Sequence, residues 1–326
     1  MSTRLTLAAQ AGAIVDGSDG HVLLFCAPDT LDISVFGTMR ITVVQDMMPA
    51  AANWAARGVT TVSRAEEDAD LAVVFLPRAK QAARDVIARA AQRAGRVLVD
   101  GQKTDGVDAL LKEVRARTEI LGTVAKAHGK LFWFDAASFE DWIAAPGLID
   151  GRWHVVPGVF SADGVDPGSA LLAAHVPAAL SGRVADLGAG WGYLSAHILD
   201  ACPKITELHL VEAQGAALDC ARQNVTDARA RFHWADATTW AGETAFDAVV
   251  MNPPFHTGRA AEPDLGRAFI ASAARLLRPG GTLWMVANRH LPYEQALRDS
   301  FAEFAEIGGT NKFKIVKALA KPRARR

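Results

Sequence analysis

Cysteine is scarce in this chain. Cys26, Cys202 and Cys220 stand alone among 326 residues, without metal-like spacing. That excludes a disulfide framework and a cysteine-built zinc site, and it fits a reducing compartment. An excess of charge of one sign is missing too. Lys+Arg 35 against Asp+Glu 36 leaves a formal charge of -1. A nucleic-acid partner must then be met by local basic patches and not by a whole-protein field. No uncharged apolar run approaches the roughly 18–20 residues that span a bilayer. The first residues hold one early Arg but no long apolar core with a small-residue cleavage site, so no secretory signal is expected. A cytoplasmic monomer that avoids membranes is the expectation.

What is present is apolar. Half of the residues are hydrophobic, enough for a sizeable core, and the length suggests two domains. The second half alternates strands and helices. Strands are expected at 183–187, 207–212, 231–234, 246–251 and 282–287, with helices at 193–199, 216–224, 266–277 and 293–301. A closing hairpin follows at 304–307 and 312–319. This is the rhythm of a doubly wound α/β sheet. The first half repeats it, with strands expected at 22–26, 41–45, 60–62, 71–76 and 96–99 and helices at 49–57 and 81–94. Val73-Val74-Phe75-Leu76-Pro77 stands in the place of Val249-Val250-Met251-Asn252-Pro253. After the first strand, however, comes Ala27-Pro28-Asp29-Thr30 without a glycine. Residues 1–150 therefore read as a degenerate duplicate and 151–326 as the working domain, with 131–168 joining them.

The first chemical signal is the turn Gly188-Ala189-Gly190-Trp191-Gly192. Three glycines let the chain turn sharply and let a ligand approach the backbone, and a helix N-terminus follows. Spacing alone also permits a dinucleotide site. Asp186, ahead of the first glycine, departs from that pattern. It is where S-adenosyl-L-methionine (AdoMet) enzymes place an acid that orients the methionine end. Glu212 ends the second strand, where a carboxylate can accept both ribose hydroxyls of an adenosyl group. Asp236, after the third strand, can accept from the adenine amino group or serve as an ordinary turn residue.

The second signal is Asn252-Pro253-Pro254-Phe255 at the end of the fourth strand. Two prolines stop the ladder. The Asn252 side-chain oxygen and the Pro253 carbonyl can both accept hydrogen bonds from one planar NH2 group, and Phe255 can stack on the ring that bears it. An amino nitrogen conjugated to a ring is a poor nucleophile. Two such bonds turn its lone pair toward an incoming methyl, and positioning of that kind can supply several kcal/mol. A sulfonium methyl is already activated, so no metal is required. His256, next in line, is more commonly a packing or phosphate-binding residue than a base. Arg259 and Arg267 flank the loop and could meet phosphates or lie on a solvated face. The terminal 321–326, Lys-Pro-Arg-Ala-Arg-Arg, reads equally as a basic patch or a solvated tail. Phe160-Ser161 and Asp166-Pro167-Gly168-Ser169 form a turn-rich stretch placed to lie over the cofactor.

Four stretches carry a family likeness: Pro157–Ser161 with Asp163–Asp166; Asp186–Gly190; Asn252–His256; and Val286–Tyr293 with Asn311–Lys314. In them the chain resembles the bacterial ribosomal RNA guanine-N2 methyltransferases of the RsmC/RlmG type. The resemblance implies two tandem Rossmann-like, class I methyltransferase domains. The N-terminal one is degenerate and helps with RNA or folding; the C-terminal one binds AdoMet and methylates guanine N2 in ribosomal RNA. Family members commonly carry Cys where this chain has Ala189, and Trp191 is bulkier than the usual residue. Length and N-terminal wording lean toward the 16S branch; the wording at 289–291 and 311–313 leans toward the 23S branch. Two other readings stay open. One is methylation of another planar amino group, adenine N6 or a glutamine amide. The other is a non-catalytic RNA-binding relic, against which Glu212 and the glycine turn argue.

Overall fold

The computed structural model describes residues 3–14, 20–135, 137–242, 245–254 and 263–322. The chain divides between Ala145 and Pro146 into two compact units. The first opens with helix α1 (Thr3–Gln10). Its sheet comprises β1 (His21–Phe25), β2 (Arg40–Val44), β3 (Thr60–Val62), β4 (Ala69–Phe75), β5 (Ala94–Gln102), β6 (Gly122–Lys126) and β7 (Gly129–Asp135), in the order β3-β2-β1-β4-β5-β7-β6. Helices α2 (Met48–Ala56), α3 (Lys80–Arg93) and α4 (Val107–Arg115) connect the strands.

The second unit begins with a small hairpin, β8 (Gly147–Ile149) and β9 (Trp153–Val155), followed by α5 (Pro167–His175). Then come β10 (Ser181–Leu187), α6 (Tyr193–Ala201), β11 (Lys204–Glu212), α7 (Gly215–Asn224), β12 (Ala230–Trp234), β13 (Phe246–Met251), α8 (Pro263–Leu276), β14 (Leu277–Asn288), α9 (Glu294–Ser300), β15 (Phe301–Gly309) and β16 (Phe313–Ala320). The sheet order is β12-β11-β10-β13-β14-β16-β15. Position for position this is the order of the first sheet, with five parallel strands and a closing antiparallel pair in each.

Both sheets are buried on two faces, which is why their central strands read as continuous apolar runs. In the second unit Val184, Leu210, Ala248, Val250 and Val286 face one core, with α5, α6 and α7. The alternate residues Ala185, Leu187, Val249, Met251 and Met285 face the other, with α8 and α9. Period-two alternation therefore puts Asp186 on the same face as Val184, under α6.

Two expectations from the sequence need correction. Residues 131–134 do not belong to a connecting segment: Leu131, Phe132, Trp133 and Phe134 lie in β7, pair with β5 and are buried. The dense aromatic run hid an edge-adjacent strand because its partner β6 is short and mostly exposed. The alignment of the two halves also shifts by one residue. Phe25 pairs with Val74, and Leu187 pairs with Met251. The place of Asn252 is thus taken by Phe75, and that of Pro254 by Pro77.

Candidate functional site

The carboxyl ends of β10, β11 and β13 gather the expected residues, as strand ends do at the switch point of an open α/β sheet. The glycine turn leaves β10 with Gly188 and Ala189 donating their N–H groups to the Val211 carbonyl at 2.9 and 3.2 Å. Gly188, Gly190 and Gly192 have φ of 75°, 56° and 89°, a region that L side chains rarely adopt. Their surroundings differ. A methyl at Gly192 would lie 2.8 Å from Val225, and one at Gly188 would meet Phe269 at 3.3 Å and Pro254 at 4.0 Å. A methyl at Gly190 would meet nothing within 4 Å. Gly190 thus presents bare backbone to open space, beside the first turn of α6. That is the cradle a nucleoside-bearing ligand requires.

Glu212 closes this cradle. Its two carboxylate oxygens accept from Gly190 N at 2.8 Å and Gln214 N at 2.7 Å. These two bonds aim the carboxylate at the end of β11, beside the glycine turn. Asp186 is 1% exposed and accepts from the Ser195 hydroxyl at 2.7 Å. Burial raises its pKa from 3.8 to about 7; the Ser195 bond opposes the shift and the nearby Glu212 charge adds to it. Asp236 accepts from both the Thr238 N–H (2.8 Å) and the Thr238 hydroxyl (2.7 Å) through one oxygen, forming the turn after β12. Its other oxygen receives no bond among the described residues. Ala235 N, just before it, donates to the Glu212 carbonyl at 3.0 Å, which holds the ends of β11 and β12 side by side.

Asn252 follows β13. Its Nδ2 donates to Asp166 Oδ2 at 2.8 Å and to Ser169 Oγ at 2.9 Å. Both amide hydrogens are thereby committed, and Oδ1 accepts from no donor among the described residues. Pro253 is buried and Pro254 partly so, and Pro254 reaches the space beside Gly188. The acceptor stretch and the glycine turn are therefore neighbours. Phe255, His256 and Arg259 lie outside the described residues.

Asp166 and Ser169 turn out to belong to the start of α5 and not to a flap. Asp166 caps that helix through Ser169 N at 2.7 Å, with Pro167 at the first helical position. An Asp followed by Pro is a helix-start signal, and it was legible in the sequence. The upstream loop lies nearer the expected place: Phe160 O accepts from Trp191 Nε1 at 3.0 Å and Gly158 O from Gln214 Nε2 at 3.4 Å. The indole of Trp191 is thus used to tie that loop down. Ser195, the partner of Asp186, carried no sequence signal beyond its place on α6.

Strand order, the glycine turn after β10 and the Asn-Pro-Pro stretch after β13 define a class I methyltransferase unit. The family model for the methyltransferase small domain matches residues 151–317. The ribosomal RNA small subunit methyltransferase C of Shewanella denitrificans is 30% identical over 267 residues, covering 76% of this chain and 75% of that protein. Its counterpart in Salmonella paratyphi B is 33% identical over 201 residues, 61% of this chain and 58% of that protein. A solved structure from T. thermophilus, the 16S rRNA guanine-N2 methyltransferase RsmC in complex with AdoMet and guanosine, covers 98% of this chain and 92% of its own. Its TM-score is 0.74 at 26% identity. This chain belongs to the family of ribosomal RNA small subunit methyltransferase C.

Proposed function

We propose that the second unit binds AdoMet at the 188–192 turn and methylates the exocyclic N2 of a guanine in ribosomal RNA, in the small subunit. One observation carries this reading. The Asn252 amide hydrogens are taken by Asp166 and Ser169, which leaves Oδ1 as the acceptor, in a stretch that lies next to the glycine turn through Pro254. The activity for which the relatives are named and the T. thermophilus complex with AdoMet and guanosine support the choice of cofactor and base.

The residues present fit AdoMet. Open backbone at Gly190 and the flanking Gly188, Ala189 and Gly192 would receive it, Glu212 would accept its ribose hydroxyls, and Asp236 would take the adenine amino group. Asp186, beneath the turn, would face the methionine end. When bound, AdoMet supplies an electrophilic methyl. The protein's part is to hold the amino group. Asn252 Oδ1 and the Pro253 carbonyl accept its two hydrogens and turn its lone pair outward, and Phe255 stacks on the base, worth roughly 1–3 kcal/mol. The target guanine must leave any stack to reach this pocket.

The first unit is proposed to help hold RNA. Residues 76–130 contain twice as many Lys and Arg as Asp and Glu, whereas acids outnumber bases over 1–75. In that basic stretch the Arg78 side chain is 91% exposed, and Lys103, Lys112, Arg115 and Lys126 are exposed. Such a surface meets phosphates without reading sequence. Ribosomal RNA as substrate puts the protein in the cytoplasm.

The acceptor pair suits any planar NH2 group, so nucleoside analysis decides. Labelled AdoMet with undermethylated 30S, 50S and free RNA should yield N2-methylguanosine in 16S RNA. Label in 23S RNA would move the target, N6-methyladenosine or labelled protein would overturn the base, and no transfer at all would favour an RNA-binding relic.

A further inference from the structure

We propose that Asp166 and Ser169 are positioning residues for methyl transfer: they fix the Asn252 amide so that its oxygen, and not its NH2, faces the substrate. The inference rests on the acceptor role just proposed for Asn252.

A side-chain amide has two nearly isosteric orientations. One presents an acceptor to the substrate's amino group; the other presents a second donor, and the hydrogen bond is lost. Here the choice is made from behind. An ionised carboxylate only accepts, and Asp166 Oδ2 stands 2.8 Å from Nδ2, with Ser169 Oγ at 2.9 Å. A flipped amide would set its oxygen against that carboxylate oxygen. Donation to a carboxylate also polarises the amide and makes Oδ1 a stronger acceptor.

The carboxylate is itself held. Oδ2 caps α5 by accepting from Ser169 N at 2.7 Å, and Pro167 pre-sets the helix start. Gly168 leaves the room: a methyl there would lie 3.0 Å from Asp166 Oδ2 and 3.3 Å from the Phe313 ring. Helix start, carboxylate and amide thus form one chain of contacts across 86 residues of sequence. Neither Asp166 nor Ser169 is assigned a contact with cofactor or base; they act through Asn252.

Asp166→Gly tests this in the full chain, because Gly caps a helix nearly as well as Asp while the carboxylate that holds Nδ2 is removed. The remaining Ser169 hydroxyl can donate to an amide oxygen as readily as accept from an NH2, so the wrong orientation becomes available. We expect kcat to fall about tenfold to hundredfold, the scale for misplacing a reacting group. KM for the 30S particle, AdoMet affinity and Tm should stay near wild type. In Asn252→Asp two carboxylates face each other. Adding Asp166→Gly removes that repulsion, and an acid presents an oxygen in either orientation, so the pair should be at least about tenfold faster than Asn252→Asp alone, as interacting neighbours are non-additive. Three results would overturn the proposal: unchanged kcat in Asp166→Gly, parallel loss of kcat, AdoMet affinity and Tm, or a double variant no faster than Asn252→Asp. Asn252→Ala run alongside separates the two levels. If it transfers methyl like wild type, the acceptor reading itself fails; if it is inactive while Asp166→Gly is unimpaired, only the positioning role fails.

Discussion

The two units share one topology and differ at almost every position that matters for a ligand. Strand register equates Cys26 with Gly188, and each donates its N–H to the neighbouring strand, at 3.1 Å to Val44 and 2.9 Å to Val211. Cys26 even keeps the left-handed backbone, with φ 54° against 75°. After that point they part. The first unit has only the short 3-10 turn Ser34–Phe36 where the second has α6, so no helix N-terminus faces the loop. Its loop is tied to α2. Trp54, fully buried, donates to the Ala27 carbonyl at 3.1 Å, and Arg57 donates to the Leu31 carbonyl at 2.7 Å. The helix in the corresponding place, α7, also meets its turn, with Asn224 donating to the Trp191 carbonyl at 2.8 Å and Ala221 beside Gly192, but a methyl at Gly190 would still meet nothing within 4 Å. Gln45 stands for Glu212, Leu24 for Asp186 and Phe75 for Asn252. A Rossmann-like sheet is thus kept by strand pairing and two-sided burial, which tolerate the loss of both carboxylates and of the amide at the strand ends. The site proposed for AdoMet and the base depends on a bare glycine, an aimed carboxylate and an oriented amide, none of which the sheet needs.

The largest expected effect is on chemistry alone. Asn252→Ala should lower methyl transfer by about 10²–10³, the cost of losing one aimed hydrogen-bonding group at a reacting centre. AdoMet affinity by calorimetry should be nearly unchanged, and equal loss of both would make Asn252 structural. Next comes Glu212→Gln, which gives the second unit the residue found in the first. Exchanging a charged acceptor for a neutral one should weaken AdoMet binding about tenfold. Unaltered affinity in the same titration would remove Glu212 from the site.

Asp186 sharpens the contrast with Leu24, which is as deeply buried. The folded-state pKa of Asp186 is raised, from 3.8 to about 7, mainly by burial. Its contribution to stability is therefore full below pH 3.8 and is lost as pH rises through about 7. Asp186→Asn cannot ionise, so above pH 7 it should be more stable than wild type, by an amount on the order of a few kcal/mol, and less able to bind AdoMet. Urea denaturation at pH 5 and pH 8 reads the difference. A less stable variant at pH 8 would mean that the buried acid supports the fold and not the ligand.

Much of this was legible in the sequence because it is written in local rules. The Gly188–Gly192 turn, the strand ending in Glu212 and the prolines after Met251 each interrupt a clear periodicity. The shared rhythm of the halves also showed. Long-range pairing did not. Nothing local joins Asp166 to Asn252 or Ser195 to Asp186, and the one-residue slip between Val74 and Met251 is visible only in strand register. Cys26 is the sharpest case: the absence of a glycine marked the first half as degenerate, yet the left-handed backbone persists at Cys26 without one.

That persistence makes one titration decisive for the claim of two folds and a single cofactor site. Calorimetry on the full chain, wild type and Cys26→Gly, should give one AdoMet per chain in both, because Trp54, Phe75 and the missing helix still close the first unit. Two sites in either protein would contradict the account.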